Sequence, residues 1–109
     1  MAMDKAELER KLRAGNFIKN NGKVMRAVNI LRYKFSKLSA ISYALDIPEA
    51  EVIDSVNFLA EAEYIELRQI STKSAADLSD VPFDDLEAKL TEKGIRLLAG
   101  GIKDDLICN

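Results

Sequence analysis

The sequence predicts a mainly α fold with a small β-hairpin, an α+β domain carrying an extra N-terminal helix. Three observations carry this expectation. Apolar residues return every three or four positions through "KVMRAVNILRYKF" and "EAEVIDSVNFLAE", the period of a helix with one buried face. They alternate with charged residues in "YIELRQIS" and "LEAKL", the period of a half-buried strand. Between these runs, "DIP" and "TEKG" carry the punctuation of helix boundaries.

Taken in order, "MDKAELERKLRAGN" reads as a short first helix. Asp4 with Glu7 three residues on matches a capping box, with Asp as the cap, and Gly15 with Asn16 supplies a stop. Its apolar stripe is only Leu8 and Leu12, so the helix must dock on the body or on a second copy. A second helix, residues 23–35, buries Val24, Val28, Leu31 and Phe35. Lys23, Arg26 and Lys34 fall on another side of it, with Lys37 near them and Ile30 and Tyr33 among them.

"LSAISYALD" is the next helix, capped by Ser39, with Ile41, Ala44 and Leu45 pointing inward. Pro48 disfavours helix at Ile47 and suits the first turn of the helix that follows, about residues 49–62. There Val52, Val56 and Leu59 form the spine, with Ile53 and Ala60 beside it. Glu51, Asp54, Asn57, Phe58 and Glu61 face outward. Two antiparallel strands come next, joined by a long polar loop over residues 71–82. Thr91 caps a closing helix with Ile95 and Leu98, and Gly100 with Gly101 ends it. A rival reading runs one helix from Phe83 to Ala99, opened by Pro82. Thr91 and Gly94 suit a helix start better than a middle, which favours strand then helix. The chain therefore divides into residues 1–16, a docking or dimerisation helix, and residues 17–109, the domain proper.

Composition narrows the chemistry. The chain has no histidine and one cysteine, Cys108, which excludes a His/Cys metal site, an internal disulfide and any nucleophile–histidine arrangement. Its five glycines fit no phosphate-binding loop. No apolar run approaches the roughly 20 residues of a membrane span, and the first residues lack the apolar core of a secretory signal. These features lead us to expect a cytoplasmic protein without catalytic activity, cofactor, metal or membrane contact.

The order of elements resembles the winged helix-turn-helix superfamily. "ISYALDIPEAEVIDSVNFLAEAEYIEL" resembles its second helix, turn and third helix running into the first wing strand, and "LTEKGIRLL" resembles the end of the last wing strand and a closing helix. The likeness covers about residues 22–100 and is more specific for fold than for function. It implies a third helix that enters the major groove, a second helix whose start meets phosphate, and a wing loop that touches the backbone. Here those parts correspond to the outward residues of 49–62, Asn57 among them, with Ser55 of the same helix as a further candidate contact, to Lys37 with Ser39, and to the loop holding Lys73.

Charge cuts across that implication. Residues 1–37 hold ten Lys/Arg against three acids, a net of +7, and residues 38–109 hold six against fifteen, a net of −9. The third-helix segment carries Glu49, Glu51, Asp54, Glu61 and Glu63 and no cation. Carboxylates repel phosphate, so a grip on double-stranded DNA falls to Lys19, Lys23, Arg26, Arg32, Lys34, Lys37, Arg68 and Lys73. The same cations suit the acidic half of another copy, giving a homodimer. Leu8, Leu12, Ile30, Tyr33 and Phe58 are the expected protein contacts, although Phe58 packs equally well beneath the 71–82 loop. Two functions follow: a DNA-binding regulator or accessory factor, or a protein-interaction module that leaves nucleic acid alone.

Overall fold

The computed structural model describes residues 4–30 and 34–108. Leu31, Arg32 and Tyr33, assigned above to the buried face, the phosphate contacts and the protein interface, lie outside the described residues. The elements are α1 (Lys5–Ile30), β1 (Ser36–Lys37), α2 (Leu38–Leu45), α3 (Glu49–Glu61), β2 (Ile65–Gln69), β3 (Leu86–Leu90) and α4 (Glu92–Leu98). The three strands form one antiparallel sheet in the order β1-β3-β2.

The first two expected helices are one. α1 runs 26 residues without a break, and the stop expected at Gly15 and Asn16 is absent. A mid-helix glycine costs only about 1 kcal/mol relative to alanine, which tertiary contacts outweigh. The second apparent break, "NNG", is a docking site. Asn20 Nδ2 donates to Glu51 Oε1 (3.2 Å), and Asn21 Nδ2 donates to the Leu106 carbonyl (2.8 Å). Gly22 lies against the returning C-terminal segment so closely that a Cβ there would sit 1.9 Å from the Cys108 carbonyl oxygen. The capping box stands, with the Glu7 amide donating to Asp4 Oδ1 (2.7 Å).

Four further expectations are corrected. Phe35 lies beyond α1 rather than on its buried face. Ser36 and Lys37 form a third strand, where only a hairpin was expected, by pairing with Ala88 and Glu87. Because β1 leads straight into α2, Lys37 occupies the cap position and Ser39 sits inside the first turn, half-buried. Ala44 faces solvent while Ile41 is buried and Leu45 half-buried. The turn into α3 uses Asp46 in the left-handed region (φ 53°), and Pro48 is the residue that caps α3.

The rest follows the sequence pattern. Val52, Val56 and Leu59 are fully buried and belong to one core with Val24, Met25 and Val28 of α1 and Leu86 and Ala88 of β3. The register Ile65↔Leu90, Leu67↔Ala88 and Gln69↔Leu86 points the apolar residues of the hairpin inward. The rival helix over 83–99 is not formed. Residues Phe83–Asp85 make one 3₁₀ turn, β3 follows, and Thr91 Oγ1 accepts from the Gly94 amide (3.1 Å) to open α4. Gly100 takes φ 89° and ends α4 as expected. The 71–82 loop is tied down by Asp85, which accepts from Gln69 and Ser71, and by Asp77, which accepts from Ser79 and Asp80. Among the described residues, no helix is long and apolar enough to cross a membrane.

Candidate functional site

Two surfaces gather the residues singled out above. The first is the outer side of the sheet. Alternation puts Lys37, Glu87 and Arg68 side by side across β1, β3 and β2, with Glu66 opposite Lys89 one step along. Glu87 is the hub. Its side chain is only 7% exposed; Arg68 Nε donates to its Oε2 at 2.5 Å and Lys73 Nζ at 3.5 Å. Burial pushes its carboxyl pKa up, but the Arg68 hydrogen bond and the Arg68 and Lys73 charges outweigh this and hold it below the usual value. The Arg68 guanidinium lies 3.8 Å from the centre of the Phe35 ring, with Lys89 Nζ 5.9 Å from the same ring. Lys37, Arg68, Lys73 and Lys89 thus stand against Glu66, Glu87 and, next to Lys73, Asp85, leaving this side basic by one charge.

The second surface is α1, which presents two faces. Toward α3, Arg13 Nε donates to Asp54 Oδ2 (2.6 Å), and its Nη2 donates to the Ala50 carbonyl (3.2 Å). On the same side the Phe17 and Phe58 rings meet edge-on with centres 5.5 Å apart. Away from α3, Lys19, Lys23, Arg26 and Ile30 follow one another at helical spacing, all exposed, with Ile30 81% so. Arg26 Nη1 donates to the Cys108 carbonyl (2.9 Å). Lys19, Lys23, Lys34 and Lys37 form no ion pair among the described residues.

The remaining expected contacts are redistributed. Ser55 is fully buried inside α3 and cannot touch DNA, because it shares the core face with Val52, Val56 and Leu59. Phe58 is half-buried, with its ring against Phe17 of α1. Glu51 and Asp54, expected outward, are half-covered by α1. Glu49, Ala50, Asn57 and Glu61 stay exposed on α3, with no cation among them. A groove of about 490 Å³ runs between α1 and α3, lined by Arg10, Arg13, Ala14, Phe17, Asp54 and Asn57. Leu8 and Leu12 are 47% and 60% exposed.

Sequence reasoning missed two features. Tyr43 is 90% exposed on α2, beside exposed Ala40 and Ala44, the last of which had been placed on the inward face. The segment 104–108 is a strap across α1. Tyr64 Oη donates to Asp104 Oδ2 (2.6 Å), which together with burial holds the phenol pKa up at about 12, and the Cys108 amide donates to the Ile18 carbonyl (3.2 Å). Ile107 is buried beneath the strap. The apolar pair in "DDLIC" was the available signal. Among the described residues no group of three or more His, Cys, Asp or Glu is placed to hold a metal ion. No protein-family model, curated protein or solved structure matches the chain.

Proposed function

We propose that this is a non-enzymatic winged helix-turn-helix protein that works by binding protein, with its third helix kept out of the DNA groove. The element order and the β1-β3-β2 sheet support the winged-helix reading. One observation carries the protein-binding reading. Lys19 and Arg26 lie on the side of α1 turned away from α3, with Lys23 on its flank, while the exposed side of α3 offers Glu49, Asn57 and Glu61 and no cation. A duplex seated on α3 therefore meets carboxylates and gains nothing from the basic side of α1. Exposed Tyr43, Leu8, Leu12 and Ile30 supply apolar contacts of the kind protein partners use.

A second reading rests on the outer side of the sheet, where Lys37, Arg68, Lys73 and Lys89 offer a phosphate backbone a basic, sequence-blind contact. In that reading the protein is a DNA-associated accessory factor or transcriptional regulator held through its wing. Fluorescence anisotropy of a generic duplex at low salt separates the two. The protein-binding reading expects no salt-dependent binding. Binding that weakens steeply with salt, and is lost in the K37E/K73E/K89E variant, would establish the wing contact instead.

A further inference from the structure

Segment 104–108 lies on α1 as a bound peptide would. Its contacts with the helix go to main chain. Asn21 Nδ2 donates to the Leu106 carbonyl (2.8 Å), Arg26 Nη1 donates to the Cys108 carbonyl (2.9 Å), and the Cys108 amide donates to the Ile18 carbonyl (3.2 Å). With no side chain at Gly22, the backbone of the strap comes close enough for the last of these bonds. Of the strap's own side chains only Ile107 is buried; Asp105, Leu106 and Cys108 are exposed and Asp104 is half-buried. The "NNG" run is therefore a slot for a peptide backbone with one apolar anchor beside it.

Two observations point to an occupant besides the strap. Asn21 is fully buried, yet its Oδ1 has no hydrogen-bond partner among the described residues, so the strap uses only half of the side-chain amide. A peptide that offers Asn21 an N–H as well as a carbonyl satisfies it completely. The strap is also weakly held. Ordering its residues costs about as much as one buried aliphatic side chain and a few hydrogen bonds return. A cavity of about 370 Å³ remains between Asp104 and Ile107 of the strap and Leu97 of α4. Gly100 and Gly101, outside any helix or strand, give the segment a hinge.

We propose that the slot along α1 from Ile18 to Arg26 is a peptide-binding site and that residues 104–108 are its resident occupant. When the strap opens, the site takes an extended segment of a partner protein that carries an acidic residue three positions before an aliphatic one. The acid takes the place of Asp104 against Tyr64 Oη, and the aliphatic side chain takes the place of Ile107. Main-chain bonds to Ile18, Asn21 and Arg26 carry affinity, and the two anchors carry choice. The tethered strap competes at high effective concentration, which keeps the site closed to weaker ligands. This site adds to the protein-binding reading without resting on the basic side of α1.

Fluorescence anisotropy with the full chain tests this, using as probe a fluorescein-labelled synthetic peptide of residues 103–108. I107A weakens the resident strap and leaves the slot intact, so it should bind the probe about tenfold or more tightly than the parent chain does. Adding R26A, where the strap no longer competes, should weaken the probe about threefold or more. A probe with alanine in place of Ile107 should bind about tenfold more weakly than the parent probe. Circular dichroism confirms that each variant folds. Hydrogen exchange on the unaltered protein needs no substitution: the Cys108 amide should exchange at least about tenfold faster than that of Val28. No binding to folded I107A, a probe indifferent to its isoleucine, or a Cys108 amide protected as strongly as that of Val28 overturns the site and leaves the protein-binding reading standing. Dimerisation of the parent chain that the probe reverses hands the slot to the strap of a second copy and overturns a partner protein as its occupant. The protein-binding reading itself falls only to salt-dependent duplex binding, which this probe does not touch.

Discussion

Ser55 and Glu87 are both buried polar side chains, and they carry opposite consequences. The Ser55 hydroxyl has no hydrogen-bond partner inside α3, so its burial is a cost without a return. S55A is expected to hold or raise stability by about 0.5–1 kcal/mol in urea unfolding. Its position was legible, since Ser55 lies three residues from Val52 on the apolar spine, but its polarity drew it into the candidate DNA contacts. Glu87 is buried with its charge satisfied. E87Q should cost about 1–2 kcal/mol, less than a fully enclosed pair because Arg68 is itself 31% exposed. Since the folded carboxyl titrates below its ordinary value, its contribution is complete above the unfolded pKa and is lost as pH falls through the folded one. Urea midpoints measured from neutral pH downward should fall less steeply in E87Q. Asp85, held low by Gln69 and Ser71, and Asp77, held low by Ser79, preserve part of the slope.

At the scale of elements, α3, β2, β3 and α4 were legible because each carries its own period and its own boundary residues. β1 was not. Two residues have no period, and their strand character comes only from pairing with β3. α1 was misread as two helices because "NNG" has the composition of a break. Its three residues are buried instead under contacts from α3 and the 104–108 strap, and those contacts are distant in sequence. The strap gives G22A a sign that depends on context. In the whole chain the new methyl collides with the Cys108 carbonyl and should destabilise the protein. In a chain ending at residue 103 the collision is gone, and the same change should stabilise it by about 0.5–1 kcal/mol through helix propensity. A thermal-melt cycle over the four proteins reads the inversion directly. The Tyr64–Asp104 hydrogen bond should hold the strap at alkaline pH, because a phenol raised to about 12 contributes fully below its unfolded value and is lost only as pH climbs through 12.

Over the whole molecule, the split between a basic first third and an acidic remainder was plain in the sequence, but its arrangement in space was not. Composition shows that the charges differ. Only the packing of α1 on α3 shows that Arg13 is consumed by Asp54 while Lys19 and Lys23 are turned the other way. The molecule is elongated, 50 × 33 × 23 Å, with α1 as its longest element. Hydrogen exchange should divide α1 sharply. Amides around Val24 to Val28, whose side chains are completely buried, should exchange only on global unfolding. Those of residues 5–12, whose side chains are nearly all exposed, should exchange far more quickly. Equal protection along the rod would argue that its first turns are held as firmly as its buried ones.

Because α1 is unbroken, its two ends are locked in phase like the teeth on one shaft. Inserting a single alanine after Gly15 would leave the core register of residues 20–28 untouched, yet swing Leu8 and Leu12 around the axis by about 100°. Four inserted alanines would lengthen the rod by about 6 Å and return the leucines to within about 40° of their original bearing. Any activity that depends on both ends of α1 should therefore follow rotation and ignore length.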